Sequence, residues 1–347
     1  MRTLIAEEYF TLIPGKIPPE VLSRIVFSHV GKSDKDLLLG PAIGEDASLI
    51  RIGNSVIVAS TDPITGSVED IGWLAVHINA NDIATFGVRP RWFLASILLP
   101  NEFQEVDLER ITTQIDEAAL SLDITVAGGH TEITEGIDRP IIAGFMIGVT
   151  TENRYVTSAG AKPGDAIIMT KTAAIEGTAI LAAEGAPYLS KMLGGKTVND
   201  ASDLRNQISV VEDGIIAFET GQITAMHDPT EGGLIGGLHE ICDASKVGFD
   251  IDLDSIPLHD ATRSICDFLS VNVLELISSG SMLMTCVFEG AELVIAALEA
   301  KGLQATVLGT ISSNASMRTG SRNGGPIQMP RPKNDAIWQA LKKLNQT

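Results

Sequence analysis

The stretch VHINANDIATFG, Val76 to Gly87, reads as the second half of a helix that begins near Ile71, and it sets an aspartate among apolar residues. At the helical period Ile71, Ala75, Ile78 and Phe86 share one side, with Asp82 in their midst and Asn79 at its edge one turn earlier. The remaining circumference is apolar too, through Trp73, Leu74, Val76, Ala80, Ile83 and Ala84. A helix that is apolar all round is a buried one. A buried carboxylate must be paired, hydrogen-bonded or placed on a metal. No lysine or arginine lies between Ile71 and Val88, so any cation comes from elsewhere. Asp82 either caps a neighbouring loop or faces a ligand.

The elements around this helix set the architecture. IPPEVLSRIVFSHV (17–30) reads as a helix entered through Pro18 and Pro19. Ala47–Ile52 and Ser55–Ser60 form a hairpin across the Gly53-Asn54 turn. Arg91–Leu99 is a strand and Val106–Leu122 an amphipathic helix. Thr125–Ala127 and Pro140–Thr150 are strands around the loop GGHTEITEG. This gives a β-β-α-β-α-β-β plan, an α+β fold, and near Asn153–Val156 the chain changes. Two domains are expected, 1–155 and 156–347, the second an α/β unit with a loop-like, polar stretch over 185–208. Its helices include Ser209–Glu219, the Gly-rich segment TEGGLIGGLHEICDAS and Asp335–Leu344.

The composition agrees with two compact halves. The chain has 347 residues, more than one core usually covers, and its 44% apolar content is that of a globular protein. A formal net charge of −19 repels nucleic acid. The opening MRTLIAEEYF lacks the apolar core of a signal peptide. PIIAGFMIGV, the longest apolar run, is too short for a bilayer. Cys242, Cys266 and Cys286 form no CxxC pair. A cytoplasmic protein without membrane or nucleic-acid partners is expected.

Four places could carry chemistry. The Gly53-Asn54 turn fixes the hairpin register, setting position 46 opposite 61 and 45 opposite 62. Asp46 and Asp62 then meet at the hairpin's open end beside Glu45. Either this is a solvated mouth, or, with Asp82, it is a site where Mg²⁺ takes one or two carboxylates together with phosphate and water. Gly128, Gly129, His130 and Thr131 form an ordinary turn or a close approach to a ligand. Lys171, past a strand and before a helix, is a solvated loop lysine or a phosphate contact. In MHDPTEGG, His227 and Asp228 end a strand, Thr230 is a helix N-cap, and Asp228 is a further candidate ligand. LGGKT (193–197) is not a Walker A loop, because that pattern needs glycine where Ser190 stands.

In order, GEDASLI (44–50), STDPITG (60–66), DIGWLAVHINANDIATFGVRPRWFLASILLP (70–100), AGGHTEI (127–133), AGAKPGDAIIMTK (159–171) and HDPTEGGLIGGLHEI (227–241) resemble the ATP-binding superfamily of aminoimidazole ribonucleotide (AIR) synthase. That PurM-like superfamily includes thiamine-monophosphate kinase, selenophosphate synthetase and the hydrogenase-maturation protein HypE. The opening GKIPPEVLSRIV and HDPTEGG look closest to the HypE branch. The resemblance implies a homodimer whose N-terminal strands share a β-barrel, with ATP in a cleft near the interface. It implies that Asp46, Asp62 and Asp82 bind Mg²⁺ and phosphate, with Asn79 helping to position Asp82. Gly128, Gly129, His130 and Thr131 would approach the nucleotide, possibly from the partner chain, and Asp228 would add an acid from the C-terminal domain.

The activity implied is ATP-dependent activation of an amide-type oxygen, or phosphate transfer, on a small substrate or a maturation-type protein partner. The alternatives are a small-metabolite kinase and a non-catalytic nucleotide-binding partner. HypE ends in a cysteine that carries its carbamoyl group, whereas this chain ends ALKKLNQT, so reaction on its own tail is not expected. His130 also stands where HypE-like chains tend to have an aspartate.

Overall fold

The computed structural model describes residues 15–65 and 69–346. The opening MRTLIAEEYF and Gly66 of STDPITG lie outside them. Residues up to Thr151 build a six-stranded sheet: β1 (Leu37–Leu39), β2 (Ser48–Ile52), β3 (Ser55–Ile64), β4 (Pro90–Leu99), β5 (Thr125–Ile133) and β6 (Ile141–Thr151), in the order β1-β2-β3-β6-β4-β5. The β2–β3 hairpin pairs Ile52 with Ser55 and Ser48 with Ala59, the register that the two-residue turn dictates. Gly53 takes a φ of +61° in that turn.

The Ile71–Ala84 helix lies against β3 and β6, with the Glu105–Ser121 helix on its other flank and the Val211–Glu219 helix of the second half beyond. Cover on every side explains its sequence: thirteen of its fourteen residues are buried, all but Trp73.

Residues 166–328 build a mostly antiparallel seven-stranded sheet: β7 (Ala166–Thr170), β8 (Ile223–His227), β9 (Gly248–Asp252), β10 (Leu283–Cys286), β11 (Ala305–Ser312), β12 (Arg318–Arg322) and β13 (Gly325–Gln328), ordered β13-β12-β9-β11-β7-β10-β8. The halves share a core. Residue 214 is glycine where the Val211–Glu219 helix crosses the buried one, and a Cβ there would stand 2.5 Å from the Ala84 carbonyl oxygen. Asn81 adds a polar clasp, donating to Ile208 O at 2.9 Å and accepting from Val210 N at 2.9 Å. Among the described residues no helix is long and apolar enough to cross a membrane.

Four expectations are corrected. The 17–30 helix is only a short turn, Pro19–Val21, widening into a π-turn over Leu22–Val26, with no residue buried. The 185–208 stretch is helical, as Ala186–Leu193, Gly195–Ser202 and a 3₁₀ turn at Asp203–Gln207. Leu189, Val198, Ala201 and Leu204 supply its buried side, which its polar residues concealed. The GGHTEI segment is not a loop, since β5 runs through it on the free edge of the sheet with all nine residues exposed. A Cβ on Gly129 would stand 2.2 Å from the Ala95 carbonyl oxygen, so that glycine admits β4. Thr230 is not the N-cap: the Gly233–Ser245 helix starts behind Gly232, whose N–H donates to Asp335 at 2.7 Å.

Candidate functional site

A cleft of about 1070 Å³ opens between the hairpin mouth, the buried helix, the start of the Gly233–Ser245 helix and the segments at 15–27 and 331–335. Asp46, Asp62 and Asp82 all line it. Among the described residues, eight acidic side chains face three lysines or arginines across its walls, a charge that favours cations or their complexes over bare anions.

Asp62 is held through its main chain. Asn79 accepts from Asp62 N at 2.9 Å and donates to Asp62 O at 3.1 Å and to Ala75 O at 2.9 Å. Asn79 is completely buried and its amide is spent on these bonds, so it positions β3 instead of touching a ligand. Gly144 on β6, opposite Asp62, makes the room, because a Cβ there would lie 2.3 Å from Asn79 Nδ2.

Asp82 is 5% exposed and sits beside Ser60. Burial, then Asp62, Asp228 and Asp46, push its carboxyl well above the usual carboxylate range. Asp228 is 1% exposed, and both its oxygens lack a protein partner. Burial and the same acidic neighbours push it up as well. Burial first, then Asp46 and Glu231 against the pull of Lys16, lift Asp62 to about 6. The mutual repulsion of these carboxylates is what a divalent cation would relieve. Among the described residues no three His, Cys, Asp or Glu side chains converge closely enough to hold a metal alone.

Behind the acids runs a chain of ionic hydrogen bonds that no local motif announces. His227 reaches Asp46 Oδ2 through Nδ1 and Glu240 Oε2 through Nε2, both at 2.9 Å. Lys16 Nζ donates to Glu240 Oε1 at 2.8 Å. Burial alone would lower the His227 pKa, but the two carboxylates outweigh it and raise it well above the ordinary value. Burial would likewise raise Glu240, and Lys16 with His227 holds it far below instead. Glu45, at the hairpin mouth, caps the turn at Ser158 and Ala159, whose N–H groups donate to it at 3.1 and 3.2 Å.

The remaining predicted residues lie elsewhere. Lys171 is buried away from the cleft, donating to Gln207 O and Ser209 O at 3.2 and 2.6 Å and paired with Asp213 at 3.2 Å. It ties β7 to the segment before the Val211–Glu219 helix and has no ammonium free for phosphate. Gly128, Gly129, His130 and Thr131 stand on the exposed β5 edge, where His130 pairs with Glu132 at 3.0 Å. Within one chain they do not join the acids.

Fold and site together define a two-domain protein with an acidic cleft between its halves. The chain belongs to the AIR synthase related protein family, whose N-terminal domain matches residues 44–150 and whose C-terminal domain matches 162–319. It is 31% identical to a putative hydrogenase expression/formation protein of Methanocaldococcus jannaschii, over 80% of this chain and 82% of that one. It is 30% identical to carbamoyl dehydratase HypE of Rhizobium leguminosarum bv. viciae, over 77% of each. In fold it resembles a chain of the HypE–HypF complex, with TM-score 0.71 at 20% identity over 90% of this chain and 99% of that one. HypE in complex with ATP gives TM-score 0.69 at 21% identity, over 92% and 95%. The PurM-like two-domain fold is therefore the one expected.

Proposed function

We propose that the acidic cleft binds ATP as its magnesium complex, and that the protein is an ATP-dependent enzyme activating an amide-type oxygen. The observation that carries this is a set of mutually repelling carboxylates, half-buried Asp62 and buried Asp82 on the wall of a cleft of nucleotide size, with buried Asp228 close by. The likeness to a carbamoyl dehydratase and the ATP complex of a protein of this fold support it. Asp46, Asp62 and Asp82 would hold the metal and its phosphates, with Asp228 adding negative charge behind them. Bound there, ATP supplies a phosphoryl group that turns a poor leaving oxygen into a good one. This chain's part is placement and charge neutralisation.

The amide is brought in from outside. Cys242, Cys266 and Cys286 are buried, and burial pushes their thiols up to about 12, 12 and 11, so none presents a thiolate to the cleft. A small molecule or a maturation-type protein partner carries it. The exposed β5 edge is the face on which a second copy would complete a homodimer and bring its own Gly128–Thr131 segment to the nucleotide.

The test is ATP turnover with Mg²⁺ and a panel of primary amides, free and protein-borne. Phosphate release that depends on an amide supports the reading. A phosphorylated, otherwise intact product makes the protein a kinase, and no turnover with any acceptor overturns the enzyme assignment.

A further inference from the structure

We propose that Lys16 is a phosphate-binding residue of the loaded cleft, leaving Glu240 for a phosphate oxygen of the nucleotide; this rests on the ATP reading above. Among the described cations lining the cleft, Lys16 is the one set against the acids. Arg331 is held by Asp243 and Lys333 stands exposed. Lys16 acts on both Asp46 and Asp62, the residues proposed to hold the metal.

Its present partner can spare it. Glu240 receives two donors, Lys16 on Oε1 and His227 on Oε2. When Lys16 leaves, the buried carboxylate keeps His227, and His227 keeps Asp46. Glu240 and His227 side chains are 8% and 1% exposed, whereas that of Lys16 is 50% exposed, so Lys16 is the member of the chain with room to turn. The backbone after it is stiff. Pro18 and Pro19 fix two consecutive φ angles, so the movement falls on the flexible four-carbon stem. A triphosphate entering beside Asp46 and Asp62 offers more negative charge than one shared carboxylate, and the ammonium follows it.

The experiment is calorimetric binding of Mg²⁺ with AMPPCP, and separately of AMP, to wild type, Lys16→Met and Lys16→Arg. The expected result is a loss of more than tenfold for AMPPCP in Lys16→Met, about 1.4 kcal/mol. AMP affinity should stay within twofold and Lys16→Arg should recover most of the loss. Equal AMPPCP affinity in wild type and Lys16→Met overturns the proposal and leaves the ATP reading standing. Equal losses for AMP and AMPPCP also overturn it, because they mark a structural role. No binding of either ligand to wild type overturns both.

Discussion

Asp82→Asn separates a carboxylate kept for a ligand from one kept for the fold. Asn has almost the same shape and keeps a polar group beside Ser60. In the free protein Asp82 is 5% exposed and repelled by Asp62, Asp228 and Asp46. Removing a charge that burial and three like-charged neighbours oppose should therefore stabilise the free protein at pH 8 by about 1–3 kcal/mol. The same change should weaken binding of the magnesium nucleotide by more than tenfold, about 1.4 kcal/mol. The two effects have opposite signs, and one titration of melting temperature against Mg²⁺–AMPPCP reads both. Wild type should start lower and rise with ligand, while the variant should start higher and rise little. A variant that is less stable without ligand, or that gains as much from ligand as wild type does, would refute the assignment.

Three further outcomes follow from the geometry. Gly144→Ala sets a methyl 2.3 Å from Asn79 Nδ2 and should cost about 1–3 kcal/mol in denaturant unfolding. It should also weaken nucleotide binding measured by calorimetry, because Asn79 then releases Asp62. Glu176 is pushed up to about 7 by burial first, then by Asp335, Glu231 and Asp62, with nearby Ser279 opposing the rise. The native state therefore holds more protons on this group than the unfolded chain between its ordinary pKa and about 7, and its contribution to stability falls as pH rises through that window. Glu176→Gln should be stabler than wild type by roughly 3 kcal/mol at pH 8 and equal to it at pH 4, which urea melts at the two pH values will check. Val126→Lys, on the exposed β5 edge, should leave the monomer's stability unchanged and shift sedimentation from dimer to monomer.

The features legible in the sequence were those set by local rules. The Gly53-Asn54 turn set the register that the structure keeps from Ile52–Ser55 to Ser48–Ala59, and Asp46 and Asp62 beyond that ladder both line the cleft. The all-apolar circumference of the 71–84 helix announced its burial, and with it the exceptional place of Asp82. Local rules misled at β5, where glycines needed for strand packing look like a turn. They misled again over 186–207, where a few buried aliphatic residues hold helices that are polar elsewhere. The chain from Asp46 through His227 and Glu240 to Lys16 had no local signal, since its first and last bonds join residues 181 and 224 positions apart. Lys171 looked free because the carbonyls that bind its ammonium, at Gln207 and Ser209, are supplied by tertiary structure.

The fit of Gly214 over Ala84, with Asn81 bonded to Ile208 and Val210, bears on how the chain can be made and cut. An isolated N-terminal half would present to water the helix flank that the second half covers, and would leave the Asn81 amide without its partners. Fragments severed near residue 155 should be recovered mainly as aggregates when expressed alone and as soluble material when co-expressed. The intact chain should melt in one calorimetric step.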